Sequence, residues 1–294
     1  MLHIPVLVKE VLELLDPKEN ENFIDTTIGE GGHAIEILER TKPFGKLLGI
    51  DLDKNQINNS RHNLSESKER IVLVNDSYAN LKEIVDRTRF RPISGILLDL
   101  GFSSYHVAES SRGFSFLRNE PLDMRYDEAN ELTAGKIINE YSGQEIERIL
   151  REFGEEKFSK KIAKKIVDQR KVKKIKSTLE LVKIIERAFT ASFNKNKIHP
   201  ATRTFQALRI AVNGELSNLK EFLPQAIEVL SKDGGLAIIS FHSLEDRMVK
   251  NFFKDMEKAN QVEILTKKPV TASNEEVLIN PRARSAKLRA IVKL

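Results

Sequence analysis

Asp25-Thr26-Thr27-Ile28-Gly29-Glu30-Gly31-Gly32-His33 follows an apolar run that begins at Phe23 and opens into a helix-like stretch. Strand, glycine-rich turn and helix in that order begin an open α/β sheet. Glycines let the chain turn tightly there and let a ligand approach the backbone with no Cβ in the way. Outward from this turn, residues 23–28, 46–52, 71–75 and 95–100 read as short strands, with amphipathic stretches between them long enough for crossover helices. The runs are apolar almost throughout, as expected of parallel strands covered on both faces. The pattern then stops, and residues 110–219 show helical periodicity before strands resume at 234–241, 262–266 and 288–294. The expectation is a doubly wound, mostly parallel seven-stranded α/β sheet with an inserted helical domain, divided as residues 1–109, 110–215 and 216–294.

Composition narrows the chemistry. With no cysteine in 294 residues, thiolate metal sites, disulfides and cysteine nucleophiles are excluded, which fits a reducing compartment. A hydrophobic fraction of 40% and a charged fraction of 31% are those of a folded globular protein. The first sixteen residues lack a basic leader and carry Lys9, Glu10 and Glu13, so they read as an amphipathic helix rather than a signal peptide, and the expected location is cytoplasmic. His33, His106, His199 and His242 show no i, i+4 pairing, so no metal site is expected. A net charge of +5 and a pI near 9.1 favour a polyanionic partner.

Several polar residues fall where an open sheet binds ligands, beyond the carboxyl ends of its strands. Asp51 stands 22 residues after Gly29, the spacing at which a carboxylate reaches ribose hydroxyls; Asp53 could read them instead, or cap the next helix. Tyr78 follows the third strand, either to stack on an adenine or as a core tyrosine. Asp99 ends the apolar run Ile96-Leu97-Leu98 beside Gly101, where it caps a turn, meets the ammonium of a cofactor or orients an acceptor amine. The glycine pattern is G-x-G without the full G-x-G-x-x-G, which argues against a nicotinamide oxidoreductase. His242 reads either as a substrate contact or as a histidine satisfied by local hydrogen bonds.

Residues 157–176 carry ten basic side chains and one acid, with Lys160, Lys161, Lys164 and Lys165 repeating along a helix whose apolar stripe is Phe158, Ile162 and Ile166. This reads as a phosphate-contacting face against the alternative of a solvated surface. Arg203 lies in a polar stretch after Pro200, and Arg282, Arg284, Lys287 and Arg289 form a second basic cluster.

Taken together, these motifs resemble the RsmH (MraW) family of S-adenosylmethionine-dependent methyltransferases, which act on cytosine N4 in 16S ribosomal RNA. The resemblance runs from His3-Ile4-Pro5-Val6-Leu7 and the Asp25–His33 loop through Leu98-Asp99-Leu100-Gly101, Ser103-Ser104 and residues 112–116 and 121–125. It continues with residues 199–207, 240–247 and 280–285. It implies a class I, Rossmann-like methyltransferase fold, S-adenosylmethionine as cofactor, and Gly31, Gly32, His33, Asp51, Tyr78, Asp99 and His106 at cofactor-contacting positions. Tyr78 replaces a common phenylalanine and keeps an aromatic face; His106 replaces a common glutamine and brings a titratable ring. Asp99 is the implied catalytic residue, and Lys160, Lys161, Lys164, Lys165, Arg203, Arg282 and Arg284 the RNA-binding ones. The implied acceptor is a cytosine in the decoding region, near the P site, presented on the 30S subunit, with no obligate protein partner and no membrane. Transfer to an exocyclic amine needs no covalent intermediate, in keeping with the absence of cysteine, whereas methylation at a ring carbon would call for a thiolate. The alternatives are an amino-methyltransferase for another RNA or for DNA, and a noncatalytic ribosome assembly factor.

Overall fold

Seven strands pair in the order β3-β2-β1-β4-β5-β7-β6 in the computed structural model, which describes residues 5–101, 105–106, 110–189 and 199–294. His3, Ile4, Ser103 and Ser104 of the motifs above lie outside the described residues. The strands are β1 Phe23–Asp25, β2 Leu47–Asp51, β3 Ile71–Asn75, β4 Gly95–Asp99, β5 Gly235–Ser240, β6 Val262–Ile264 and β7 Lys287–Lys293. The first five are parallel neighbours, and β7 runs antiparallel to both β5 and β6.

Alternation along each central strand explains why these runs are apolar on both sides. Ile24, Leu48, Ile50, Ile96, Leu98, Leu236 and Ile238 point into one core with Ile84, Phe222 and Phe253. Their neighbours Phe23, Leu47, Leu97, Ala237 and Ile239 point into the other with Leu12, Ile37 and Leu38. A period of two with both faces covered leaves no polar position inside the strand, so polar residues collect at the strand ends.

β1 stops at Asp25, three residues short of the expected end at Ile28. Thr26 sends its N–H to Leu97 O on β4 at 2.9 Å and adds its hydroxyl to the same oxygen at 2.8 Å, and beyond it the chain turns, with Asp25 Oδ1 accepting the Thr27 N–H at 3.2 Å. The amphipathic amino-terminal helix is confined to Val8–Leu15, preceded by Leu7 at a positive φ of 54° with its N–H on Glu276 Oε1.

The chain divides into two compact units, Met1–Gly101 with Leu216–Leu294, and Phe102–Glu215. The second is helical and has its own core, in which Ile137, Ile146, Leu150, Ile162, Ile166, Leu181 and Leu208 are all fully buried. Its helices start where the sequence supplies caps: Ser142 with Glu145, and Ser177 with Glu180, form reciprocal capping boxes. The helices Gly143–Gly154 and Ala201–Asn213 approach closely at Gly154, where a Cβ would stand 2.6 Å from Arg203 O. In the helix Ser159–Val172 the buried stripe is Ile162, Ala163 and Ile166; Phe158 is not part of it but caps the helix and is 41% exposed against Phe189. Among the described residues no helix is long and apolar enough to cross a membrane.

Candidate active site

Strand order reverses between β1 and β4, and that switch point opens a crevice beyond the carboxyl ends of the strands. Three carboxylates end the strands there: Asp25 on β1, Asp51 on β2 and Asp99 on β4. Asp25 is 2% exposed, and burial pushes its carboxyl up to about 7, opposed by the Thr27 N–H and reinforced by the charge of Asp51. Burial likewise pushes Asp51 up to about 7, although its Oδ2 accepts from Gly29 N and its Oδ1 from Asp53 N, both at 2.9 Å. Asp99 is raised well above the usual carboxylate range by burial and by the nearby charges of Asp25 and Glu245. Its backbone N–H is held by Thr27 Oγ1 at 2.7 Å, yet its Oδ1 is enclosed with no hydrogen-bond partner among the described residues. An enclosed acceptor without a donor is costly and asks for one from a ligand.

The glycine turn brackets this crevice. Gly29 and Gly31 take φ of +52° and +90°, in the left-handed region that favours glycine, and apart from its chain neighbours nothing lies closer than 3.9 Å to a Cβ built on Gly29. Gly32 starts the helix Gly32–Arg40 against Pro5, and His33 is buried in its first turn with Nε2 donating to Val6 O at 2.9 Å. Asp53 takes the capping role left open above: it starts the helix Lys54–Asn63 by accepting from Asn55 N at 2.9 Å. Tyr78 follows β3 and packs edge-on against Phe222, with ring centroids 5.6 Å apart.

Beyond β5, Phe241 lies 3.5 Å from the position of a Cβ on Gly101, and His242 caps the helix Ser243–Lys258 in an unusual capping box with Glu245. Glu245 N donates to His242 Nδ1, His242 Nε2 stands 3.0 Å from Glu245 Oε1, and Phe241 N donates to Glu245 Oε2. The box engages only Nδ1 of the ring, and the buried Nε2 makes no hydrogen bond among the described residues. Asp25 and Glu245 are the site residues that the sequence reading passed over. Asp25 had the same signal as Asp99, an acid closing an apolar run, but was read only as part of the glycine turn.

His106 belongs to the helical unit, buried between Phe114 and Tyr126 with centroids at 5.0 and 5.1 Å; the other six expected cofactor residues belong to the sheet unit. Lys160, Lys161, Lys164 and Lys165 are all exposed on the helix Ser159–Val172. Exposed Arg203 reaches Glu155 O at 3.3 Å. Arg284 is exposed, while Arg282 is half-buried, its guanidinium held below its usual pKa by burial against the pull of Glu30. The second basic cluster is smaller than expected, because Arg289 is buried on β7 and bonded to Asp246 Oδ1 at 2.7 Å, with Lys287 3.6 Å from Asp246 Oδ2.

A sheet of this order with its antiparallel β7 has the Rossmann-like topology of class I methyltransferases, and acids stand at the ends of β1, β2 and β4. Over residues 1–294 the chain matches the MraW methylase family, and it belongs to that family. It is 48% identical over 287 residues to a ribosomal RNA small subunit methyltransferase H from Sulfurihydrogenibium sp. (strain YO3AOP1), covering 98% of this chain and 97% of that protein. It is 44% identical to a protein of the same description from Heliobacterium mobile, covering 99% of each. Among solved structures, an rRNA methylase from Streptococcus thermophilus aligns over 98% of this chain and 93% of that one, with a TM-score of 0.46 at 12% identity.

Proposed function

We propose that this protein methylates the N4 amine of a specific cytosine in the decoding, P-site region of 16S ribosomal RNA, presented on the 30S subunit. Relatives described as ribosomal RNA small subunit methyltransferases support the substrate class. The observation that carries the chemistry is the enclosed, unpartnered Asp99 Oδ1. S-adenosylmethionine, when bound, supplies a methyl group on a sulfonium, and the residues present fit it. Asp99 offers an acceptor to an ammonium or to the acceptor amine, and the Gly29–Gly31 turn leaves room for a ligand against the backbone. Each Asp51 oxygen accepts one backbone N–H and keeps a lone pair for a ribose hydroxyl. Tyr78 offers an aromatic face to adenine, Gly31 and Gly32 bring backbone close to the ligand, and His33 holds the turn to Val6.

An exocyclic amine is a poor nucleophile because its lone pair is delocalised into the ring. Acceptors such as Asp99 align it and favour its pyramidal form. The base must leave the folded RNA to be reached. Exposed Lys160, Lys161, Lys164 and Lys165, with Arg203, Arg282 and Arg284, supply phosphate contacts. Lys160 and Lys161 lie in the first helical turn, where the helix dipole opposes cations, and Lys160–Lys164 and Lys161–Lys165 repel at i, i+4, so helix stability does not account for them.

The test is methyl transfer from labelled cofactor to undermethylated 30S subunits, naked 16S RNA and duplex DNA, followed by nucleoside mass spectrometry. N4-methylcytidine from 30S subunits is expected. Transfer to another base, or none despite cofactor binding, would overturn this function.

A further inference from the structure

Beyond Val172 the basic run leaves its helix. Lys173 and Lys174 lie in the turn that leads to the helix Thr178–Glu186, Lys183 lies on that helix, and Arg187 follows it. They line a groove whose floor is Ile175 and Ile184, 2% and 5% exposed. The acid on its wall, Glu180, is already committed: it accepts from Lys176 N and Ser177 N and pairs with Lys173 at 3.2 Å. Lys174, Lys183 and Arg187 are exposed and have no carboxylate partner among the described residues. Some surface lysines elsewhere are paired with acids, as in Lys9–Glu13, Lys42–Glu39 and Lys258–Asp255. Lys174, Lys183 and Arg187 stand over an apolar floor at the carboxyl end of the helix that carries Lys160–Lys165, a predominantly basic strip of the helical unit in which Asp168 and Glu180 are the acids.

We propose that this groove binds the phosphodiester backbone of RNA, extending the basic face of the preceding helix; this rests on the RNA methyltransferase function. Long exposed side chains spread along a strip suit a repeating polyanion, whose condensed counterions are released on binding. A single small anion is held instead by preorganised, partly buried donors.

The test replaces Lys174, Lys183 and Arg187 together by glutamine in the full chain and measures affinity for naked small-subunit RNA and for 30S subunits across about 50 to 300 mM KCl. Circular dichroism and S-adenosylmethionine binding check that the variant is folded. The slope of log K against log salt is expected to flatten by about 2 to 3, with affinity falling at least about tenfold at physiological salt. A matched triple variant, Lys9→Gln, Lys42→Gln and Lys258→Gln, is expected to stay within about twofold of the parent, because exposed ion pairs contribute little. An unchanged slope in the groove variant, with the parent chain still binding and methylating RNA, overturns the groove alone. Loss of 30S binding with unchanged binding to naked RNA also overturns it, assigning the groove to a ribosomal protein. If the parent chain binds neither RNA nor subunits, the methyltransferase function fails with it.

Discussion

The sheet unit and the helical unit each gather like charges, and they handle them in opposite ways. At the ends of β1, β2 and β4, Asp25 is buried and Asp51 and Asp99 are half-buried, so their charges are poorly solvated and the carboxyls hold on to protons. On the helix Ser159–Val172, Lys160, Lys161, Lys164 and Lys165 stand in water, stay ionised and repel one another through a screened medium. The first arrangement is built for a small, cationic, hydrogen-bonding ligand whose affinity follows pH. The second suits a polyanion, whose affinity would follow salt. Crowding of charge alone does not say what a site binds; its burial does.

Removing Asp99 breaks the comparison most sharply. Asp99→Ala is expected to lower methyl transfer by about a hundredfold or more, since an aligned acceptor is lost. Thermal unfolding of the ligand-free variant is expected at or above the parent temperature, because a buried carboxyl without a partner has gone. Normal turnover by the folded variant would end the role given to Asp99. In the helical unit, reversing Lys160, Lys164 and Lys165 to glutamate is expected to weaken RNA binding at least about tenfold and to flatten its salt dependence, with unfolding little changed. Unchanged affinity and slope in a salt titration would reject that face.

A pH series sharpens the contrast further. Asp25 and Asp51 lie near 7 in the folded protein against a usual 3.8, so between these values the folded state holds protons that the unfolded chain has released. Stability of the ligand-free protein should therefore fall as pH rises from about 4 to about 7 and level off above, as urea unfolding would show. Affinity for S-adenosylmethionine should move the other way, tightening by up to about tenfold per pH unit for each proton released. Methylthioadenosine, which lacks the ammonium, should show a weaker pH dependence; an equal one would detach the effect from the carboxyl cluster. The smallest effect belongs to Asp53→Ala, expected to cost about 1 kcal/mol of stability as a lost helix cap while cofactor affinity stays within about twofold. A loss of affinity matching that of Asp51→Ala would transfer the ribose role to Asp53.

The sheet was legible because buried parallel strands need apolar residues on both faces, and residues 47–50 and 95–98 carry that signature plainly, whereas residues 71–74 are as apolar but form a half-exposed edge strand. Asp51 and Asp99 were legible for the complementary reason, as charges at the ends of such runs. Partners distant in sequence were not legible. Arg289 reads as one more cation near the carboxyl terminus until β7 places it against Asp246, 43 residues earlier. Phe158 fits a four-residue period, but it precedes the first helical turn and so misses the stripe. The capping role of Asp53 and the His242–Glu245 box depend on where helices begin, which local sequence marks only to within a few residues.

The pairing of β4 with β5 joins Gly95–Asp99 to residues 235–239, so one central ladder spans the whole insert. On the ribosome the hydrophobic edge of β4 has emerged long before its neighbour exists. At about 5 to 20 residues per second, that edge waits on the order of ten seconds for its partner strand. Meanwhile the inserted helices can bury a core of their own and shorten the effective loop that β5 must close. The insertion therefore sets a timing problem for synthesis, with β4 as the segment most exposed to mispairing until the chain has passed Ser240.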